Sequence, residues 1–376
     1  MRKFELEDHF AKWEFSAKYH MTASDMQSFA IPELLAMASD EDRAAFKNLY
    51  LGYTETFGLP ALRTEIANTY DNCQAEDILC LAGAEEGVYA AMRVMLEKGD
   101  HAIVVVPNYQ AAETVPLEIC DVTGVALDED DNWSLDIDAV RAAIRPNTKL
   151  VSINFPQNPT GAVLARDRFD ALIDLCRDHG LWLFSDEVYR GVERDPAIRL
   201  PQVADVYEKG LSLNVMSKAY GLPGLRVGWI ACRDRGMLKE IERYKHYLSI
   251  CNSAPSERLA LIALKARDRI LERNCALLAG NVEKLDAFFA EFPDLFDWQR
   301  PDGGCVAFPR YKGPGSTDEF CDRLVEKSGV LLLPPRLYHS DLLPVKYDRF
   351  RVGFGRANID EGLAAWRAHI MTNGPV

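Results

Sequence analysis

The chain has 376 residues and a mass of 42.3 kDa; 48% of its residues are hydrophobic and 27% charged, which excludes a disordered, collagenous or disulfide-framework chain. Against 57 Asp and Glu stand 43 Lys and Arg, a net charge of −14 with a pI near 5.1, and this acidity argues against nucleic-acid or anionic-membrane partners. The longest apolar runs, such as residues 102–106 and 330–333, are strand-sized and fall well short of the roughly 18 residues of a membrane span.

The opening MRKFELEDHF lacks the apolar core of a secretory signal, and the nine cysteines include no C-x-x-C pair. Together these predict reduced thiols and a cytoplasmic protein. Residues 1–45 fit no periodicity well and are expected to form an N-terminal arm with one helix, packing with a small domain. From Asp77 to Cys232 short apolar runs alternate with helical patterns. Strands are expected at 78–81, 102–106, 150–155, 181–185, 211–215 and 227–232. Helices are expected at 85–98, 135–144 and 167–179, the last closed by Gly180 as a C-cap. Alternation of this kind, with mostly continuous apolar strands, predicts an α/β fold whose mostly parallel sheet is covered on both faces.

After Pro255 the texture changes. One long helix is expected over 256–292, then short strands at 304–308, 330–333 and 351–353 and helices at 317–327 and 360–371. The chain then divides into the arm (1–45), a large domain (46–255), and a linking helix with a smaller α+β domain (256–376). No P-loop, H-E-x-x-H or G-x-S-x-G motif is present, and GFGRAN at 353–358 lacks the third glycine of a dinucleotide fingerprint.

Three segments carry chemistry. In SKAYGLPGLRVGWI, Lys218 follows a predicted strand and Arg226 follows a glycine-rich turn. A strand-end lysine is usually a solvated surface residue, but in a closed site it loses its proton readily and can form a Schiff base. Arg226 could neutralise a phosphate. In FSDEVYRG, Asp186 ends an apolar strand and Tyr189 follows three residues later. Such an acid is commonly a helix N-cap; the sharper reading is a carboxylate paired with a protonated ring nitrogen. FPQNPTG, containing Asn158, is by itself turn chemistry.

In this order and spacing the three segments resemble the fold-type I pyridoxal-phosphate (PLP) enzymes, within them the class I/II aminotransferase family. The pattern FELEDHFAKWEFSAKYHM and the ending FRVGFGRANIDEGL are most similar to its capreomycidine synthase-like branch. The resemblance implies a PLP-binding large domain, a small domain and a homodimer. Lys218 would be the Schiff-base lysine and proton shuttle, and Asp186 would keep the pyridine nitrogen protonated. Asn158 and Tyr189 would hydrogen-bond the ring oxygen, and Tyr109 would stack on the ring. Backbone N–H groups of Ala84 and Glu85, at a helix start, would cup the phosphate with Ser217 and Arg226. Tyr53, in GYTETFGLPALR, would reach the phosphate of a second subunit. Arg351 would take the substrate α-carboxylate, with Arg356 as its rival and Asn158 beside it. Two departures stand out: Val215 and Ala84 occupy positions where many relatives carry a hydroxyl. For the substrate side chain, residues 15–29 and 247–253 are candidates by family position only.

The expected activity is transfer of an amino group from an amino acid to a 2-oxo acid. The alternative is a PLP-dependent lyase or cyclase of the capreomycidine synthase-like kind. A more distant alternative is a ligand-sensing regulator built on the same fold, against which stand the acidic charge and the mere fifty residues that precede Tyr53.

Overall fold

The apolar runs of the central stretch become strands because their side chains are buried on both sides. In the computed structural model, which describes residues 2–374, these are β1 (Ile78–Leu81), β2 (His101–Val106), β3 (Asp121–Asp128), β4 (Ser134–Leu135), β5 (Thr148–Asn154), β6 (Trp182–Asp186), β7 (Gly210–Val215) and β8 (Gly228–Ala231). They form one eight-stranded sheet in the order β1-β8-β7-β6-β5-β2-β3-β4. The pairs β2–β3, β2–β5, β5–β6 and β6–β7 are parallel. β8 runs antiparallel to both β1 and β7, and β4 runs antiparallel to β3. Six strands therefore share one direction, and the fold is α/β with a mixed, mostly parallel sheet.

Alternate residues of each strand feed different cores. Ile103, Val105, Val151, Ile153 and Leu183 join one cluster, while Ala102, Leu150, Phe184, Leu211 and Leu213 join another on the opposite face. β3 and β4 lay outside the expected strands. β3 carries Gly124 and buries only Val125 and Leu127 of its eight residues, so it lacks an apolar run. The helix Arg166–His179 does end at Gly180, which takes the left-handed conformation at φ 63°.

Two expectations in the flanking regions are corrected. The single helix over 256–292 is two helices, Ala254–Lys265 and Arg267–Ala290. No Gly or Pro marks the break; Ala266 leaves helical geometry (φ −100°, ψ 15°), and Arg267 is tied to Glu65 at 2.6 Å. The first 45 residues contribute three helices, not one: Glu5–Trp13, Ile31–Leu35 and Asp40–Lys47 begin in that stretch. The Ile31–Leu35 and Asp40–Lys47 helices pack on Ala254–Lys265, with Lys265 paired to Asp42 at 2.8 Å.

Between those helices the chain runs beside the C-terminal strands. Tyr19–His20 pairs in parallel with Val330–Leu331, and the Gly353 N–H donates to the Met21 carbonyl at 2.8 Å. A Cβ at Gly353 would stand 2.1 Å from the Ala23 carbonyl oxygen, so only glycine admits this approach. The contact carries residues 22–25 to the sheet's functional edge. All nine cysteines are free. Among the described residues no helix is long and apolar enough to cross a membrane.

Candidate active site

The carboxyl ends of parallel strands are where an α/β sheet gathers its loops and its ligands. Here β1 leads to Ala84 and Glu85, β2 to Tyr109, β5 to Asn154 and Asn158, β6 ends at Asp186, and β7 leads to Ser217 and Lys218. These side chains converge on a cavity of about 640 Å³, which Tyr189, Arg226, Arg351 and Arg356 also line. Every site residue expected from the sequence therefore lines one cavity, with the exception of Tyr53. That tyrosine is 94% exposed on its own chain. None of residues 247–253 reaches the cavity, whereas His20, Ala23, Ser24 and Asp25 of the 15–29 candidates do.

Lys218 donates from Nζ to the Ser24 hydroxyl at 2.7 Å. Burial lowers its proton affinity, opposed by Asp25 and Asp186, so the neutral amine is more accessible than on a solvated lysine. On the neighbouring strand end, burial pushes the Asp186 carboxyl up to about 6, although the Val188 N–H at 3.2 Å and Lys218 pull it down. A cation placed beside that carboxyl would relieve its desolvation. Tyr189 donates its hydroxyl to the Ser24 carbonyl at 3.1 Å, and burial holds its proton well above the ordinary range.

Asn154 bridges two of these strand ends. Its Nδ2 donates to the Asp186 carbonyl at 2.9 Å and its Oδ1 accepts from the Asn158 N–H at 2.8 Å. Asn158 Oδ1 in turn accepts from Arg351 at 3.2 Å and from Tyr338 at 3.3 Å. That commitment of the oxygen leaves the Asn158 amide nitrogen as its free donor.

The two candidate arginines are separated by their partners. Arg356 makes a bidentate pair with Asp25 at 2.8 and 2.9 Å. Arg351 is 1% exposed, and its contacts are neutral: the Thr22 carbonyl at 2.8 Å, the Thr22 hydroxyl at 3.4 Å and Asn158. Among the described residues it has no carboxylate partner. A buried guanidinium without a counter-charge is costly unless a ligand supplies one.

An anion cradle lies opposite. Gly83, at φ 100° and ψ 170°, caps the helix Ala84–Met95 and leaves its first N–H groups facing out. A Cβ on Gly83 would meet the Arg226 guanidinium at 2.4 Å, so the arginine lies directly on the glycine backbone. Arg226 also donates to the Ser217 hydroxyl at 3.4 Å and has no acidic partner among the described residues. Val215 is buried and Ala84 adds no hydroxyl; the polar contacts of the cradle come from amides, Ser217 and Arg226. Tyr109 stands at the cavity wall against Phe4, ring centroids 5.6 Å apart. Burial raises the neighbouring Glu85 carboxyl to about 7, with the Tyr109 hydroxyl opposing.

Sequence reasoning marked the segment 15–29 by family position only, without singling out Thr22, Ser24 or Asp25, and it missed Asn154 and Tyr338. Their residue types carry no signature, and pairing of distant segments alone brings them in.

Comparison with known proteins agrees with this arrangement. The family model described as aminotransferase class I and II matches residues 21–365. A capreomycidine synthase from Streptomyces vinaceus is 27% identical, over 98% of this chain and 94% of its own. The arginine–pyruvate transaminase AruH from Pseudomonas aeruginosa is 31% identical, over 77% of this chain and 76% of its own. Among solved structures, a PLP-dependent aminotransferase from Streptococcus suis superposes with a TM-score of 0.91 at 29% identity, covering 98% of each chain.

Proposed function

The chain belongs to the aminotransferase class I and II family, whose members are PLP-dependent, and on that premise we propose that it transfers the amino group of an amino acid to a 2-oxo acid. One observation carries the reading: a half-buried lysine whose proton affinity is lowered, and a buried arginine with no carboxylate partner among the described residues, face the same cavity. The residues fit PLP, since the Gly83 turn, Ser217 and Arg226 form a cradle for a dianion that any side chain at position 83 would fill. When bound, the cofactor supplies the electron sink for charge left at the substrate's α-carbon.

In this reading the N–H groups of Ala84 and Glu85, with Ser217 and Arg226, hold the phosphate. Asp186 faces the ring nitrogen, and a proton there gives its desolvated carboxylate a counter-charge. Asn158 and Tyr189 hydrogen-bond the ring oxygen, and Tyr109 covers the ring face. Lys218 anchors the cofactor through Nζ and, as a free amine, moves the proton of the substrate's Cα; its lowered proton affinity suits it to act as a base near neutral pH. Arg351 binds the α-carboxylate, which orients the Cα–H bond, and Asn158 supports that arginine. Tyr53, exposed on its own chain, reaches the phosphate in a second copy's site, so the enzyme works as a homodimer. Nine free cysteines suit a reducing compartment, and we place the enzyme in the cytoplasm.

A second reading, a lyase or cyclase acting on an amino acid, is favoured by the near full-length match to a capreomycidine synthase. The holoenzyme is tested with a panel of amino acids, following its absorbance and assaying 2-oxo acid and ammonia. Conversion of the cofactor to its amine form with a stoichiometric 2-oxo acid supports transamination. Ammonia or a cyclised product without that conversion supports the second reading. No spectral change with any amino acid refutes both.

A further inference from the structure

One wall of the cavity has no role in the chemistry described so far. The helix Glu5–Trp13 and the residue that follows it, Glu14, roof the site. Phe4 stands against Tyr109, Leu6 is buried, and Phe10 stacks on His20 with centroids 6.0 Å apart. All three line the cavity and give it an apolar stretch of wall. Glu7 and Glu14 line the same wall. Seven residues apart, they fall on one helix face.

The charges of the cavity do not balance locally. Arg356 is neutralised by Asp25, the Glu85 carboxyl is raised by burial to about 7 and hydrogen-bonded by Tyr109, and the reading above commits Arg226 to a phosphate, Arg351 to the α-carboxylate, and Asp186 to a ring nitrogen. Glu7 and Glu14 have neither a hydrogen bond nor an ion pair from their carboxylates among the described residues. Burial and the repulsion of Glu7 and Asp25 hold the Glu14 proton affinity up, while Arg356 and Lys218 pull it down. Glu14 thus feels both its acidic neighbours and the reactive lysine across the space. His20 does not offset the acids, because burial and Arg356 lower it to about 4 and leave it neutral.

We propose that this wall selects amino acids whose side chain ends in a cation, an ammonium or guanidinium, with the apolar stem along Phe4, Leu6 and Phe10 and the charged head at Glu7 and Glu14. The proposal rests on the reading above and specifies its substrate class. An amphipathic chain of this kind matches an apolar surface that ends in carboxylates, whereas a dicarboxylic substrate would meet Glu7 and Glu14 there, and Arg226, the other cavity arginine without an acidic partner among the described residues, is taken by the phosphate in that reading.

The test measures kcat/KM of the holoenzyme for lysine, arginine, norleucine and glutamate, with binding of each to a Lys218→Ala variant followed by calorimetry. Lysine or arginine should exceed norleucine by about fivefold or more, the upper worth of an exposed charge pair, since Glu7 and Glu14 are exposed on this chain. In the Glu7→Gln/Glu14→Gln variant the lysine-to-norleucine ratio should collapse toward one, in turnover and in binding. A Glu14→Lys variant should shift the preference toward glutamate. Equal or better use of norleucine or glutamate by the parent enzyme, or a ratio indifferent to both variants, overturns the proposal and leaves the aminotransferase reading standing. Silence toward all four in turnover and in binding overturns this proposal together with that reading.

Discussion

Gly83→Ala should cut the affinity for PLP while sparing the affinity for pyridoxal, which lacks the phosphate. Gly83 sits at φ 100° and ψ 170°, a region that side chains enter at a cost of about 1–3 kcal/mol. The new Cβ would lie 2.4 Å from Arg226 Nη2, closer than any stable contact, so one of the two must move. Retreat of the backbone is limited by the Gly228 backbone behind it, which runs so close that a Cβ there would meet the Gly83 carbonyl carbon at 2.9 Å and the Ala84 nitrogen at 3.0 Å. The Arg226 guanidinium, at the end of a flexible side chain, is the group that gives way. A charge-assisted hydrogen bond of the arginine–phosphate type is worth about 1.5–3 kcal/mol, which converts to a Kd for PLP weaker by between about tenfold and a hundredfold. Titrating the apoenzyme with each ligand by fluorescence reads both constants on the same preparation. A PLP Kd within about threefold of the parent, or an equal loss for pyridoxal, would refute the assignment of Gly83 and Arg226 to the phosphate.

Arg351→Ala should raise KM for amino acids by about a hundredfold and barely change it for the corresponding simple amines; steady-state kinetics on matched pairs decide, and equal losses would mark Arg351 as an anchor for Thr22 and Asn158 only. The Asp186 carboxyl, raised by burial to about 6, binds its proton more tightly folded than unfolded, so it costs apoenzyme stability as pH rises from about 4 through about 6. Asp186→Asn apoenzyme should lose that part of the pH slope and gain stability at pH 7.5 in thermal unfolding; an unchanged slope would count against a desolvated carboxyl. Lys218→Ala and Tyr53→Ala chains, each nearly inactive alone, should recover about a quarter of wild-type activity after mixed refolding, because half the dimers are mixed and each has one intact site. No recovery from mixed dimers proven by mass spectrometry would place Tyr53 outside a second copy's site.

The strands that carry the site were legible in the sequence because both of their faces are buried. A mostly apolar run such as HAIVVV or GLSLNV, buried at every position, has few alternatives to a covered strand. The positions of the candidate residues Asp186, Asn158 and Lys218 were legible for a related reason: each ends such a run or follows it within a few residues, so its place at the strand's carboxyl end is local information. The direction of β8 was not, since an apolar strand reads the same both ways and only pairing on both sides with β1 and β7 sets it. β3 was missed because six of its eight residues keep some exposure, and the break at Ala266 because no residue type marks it.

The wall made by Thr22, Ser24 and Asp25 belongs to tertiary structure alone. These are ordinary turn residues, 194 positions from Lys218 in the case of Ser24. They reach the lysine because Tyr19–His20 pairs with Val330–Leu331 and because Gly353 lets the arm's backbone come within hydrogen-bonding distance. The difference between Arg351 and Arg356 arises in the same way: both were visible in RFRVGFGRAN, and the fold gave Arg356 a carboxylate and left Arg351 buried without one among the described residues. Strand periodicity is written residue by residue along the chain, whereas a counter-charge depends on which distant segment the packing brings alongside.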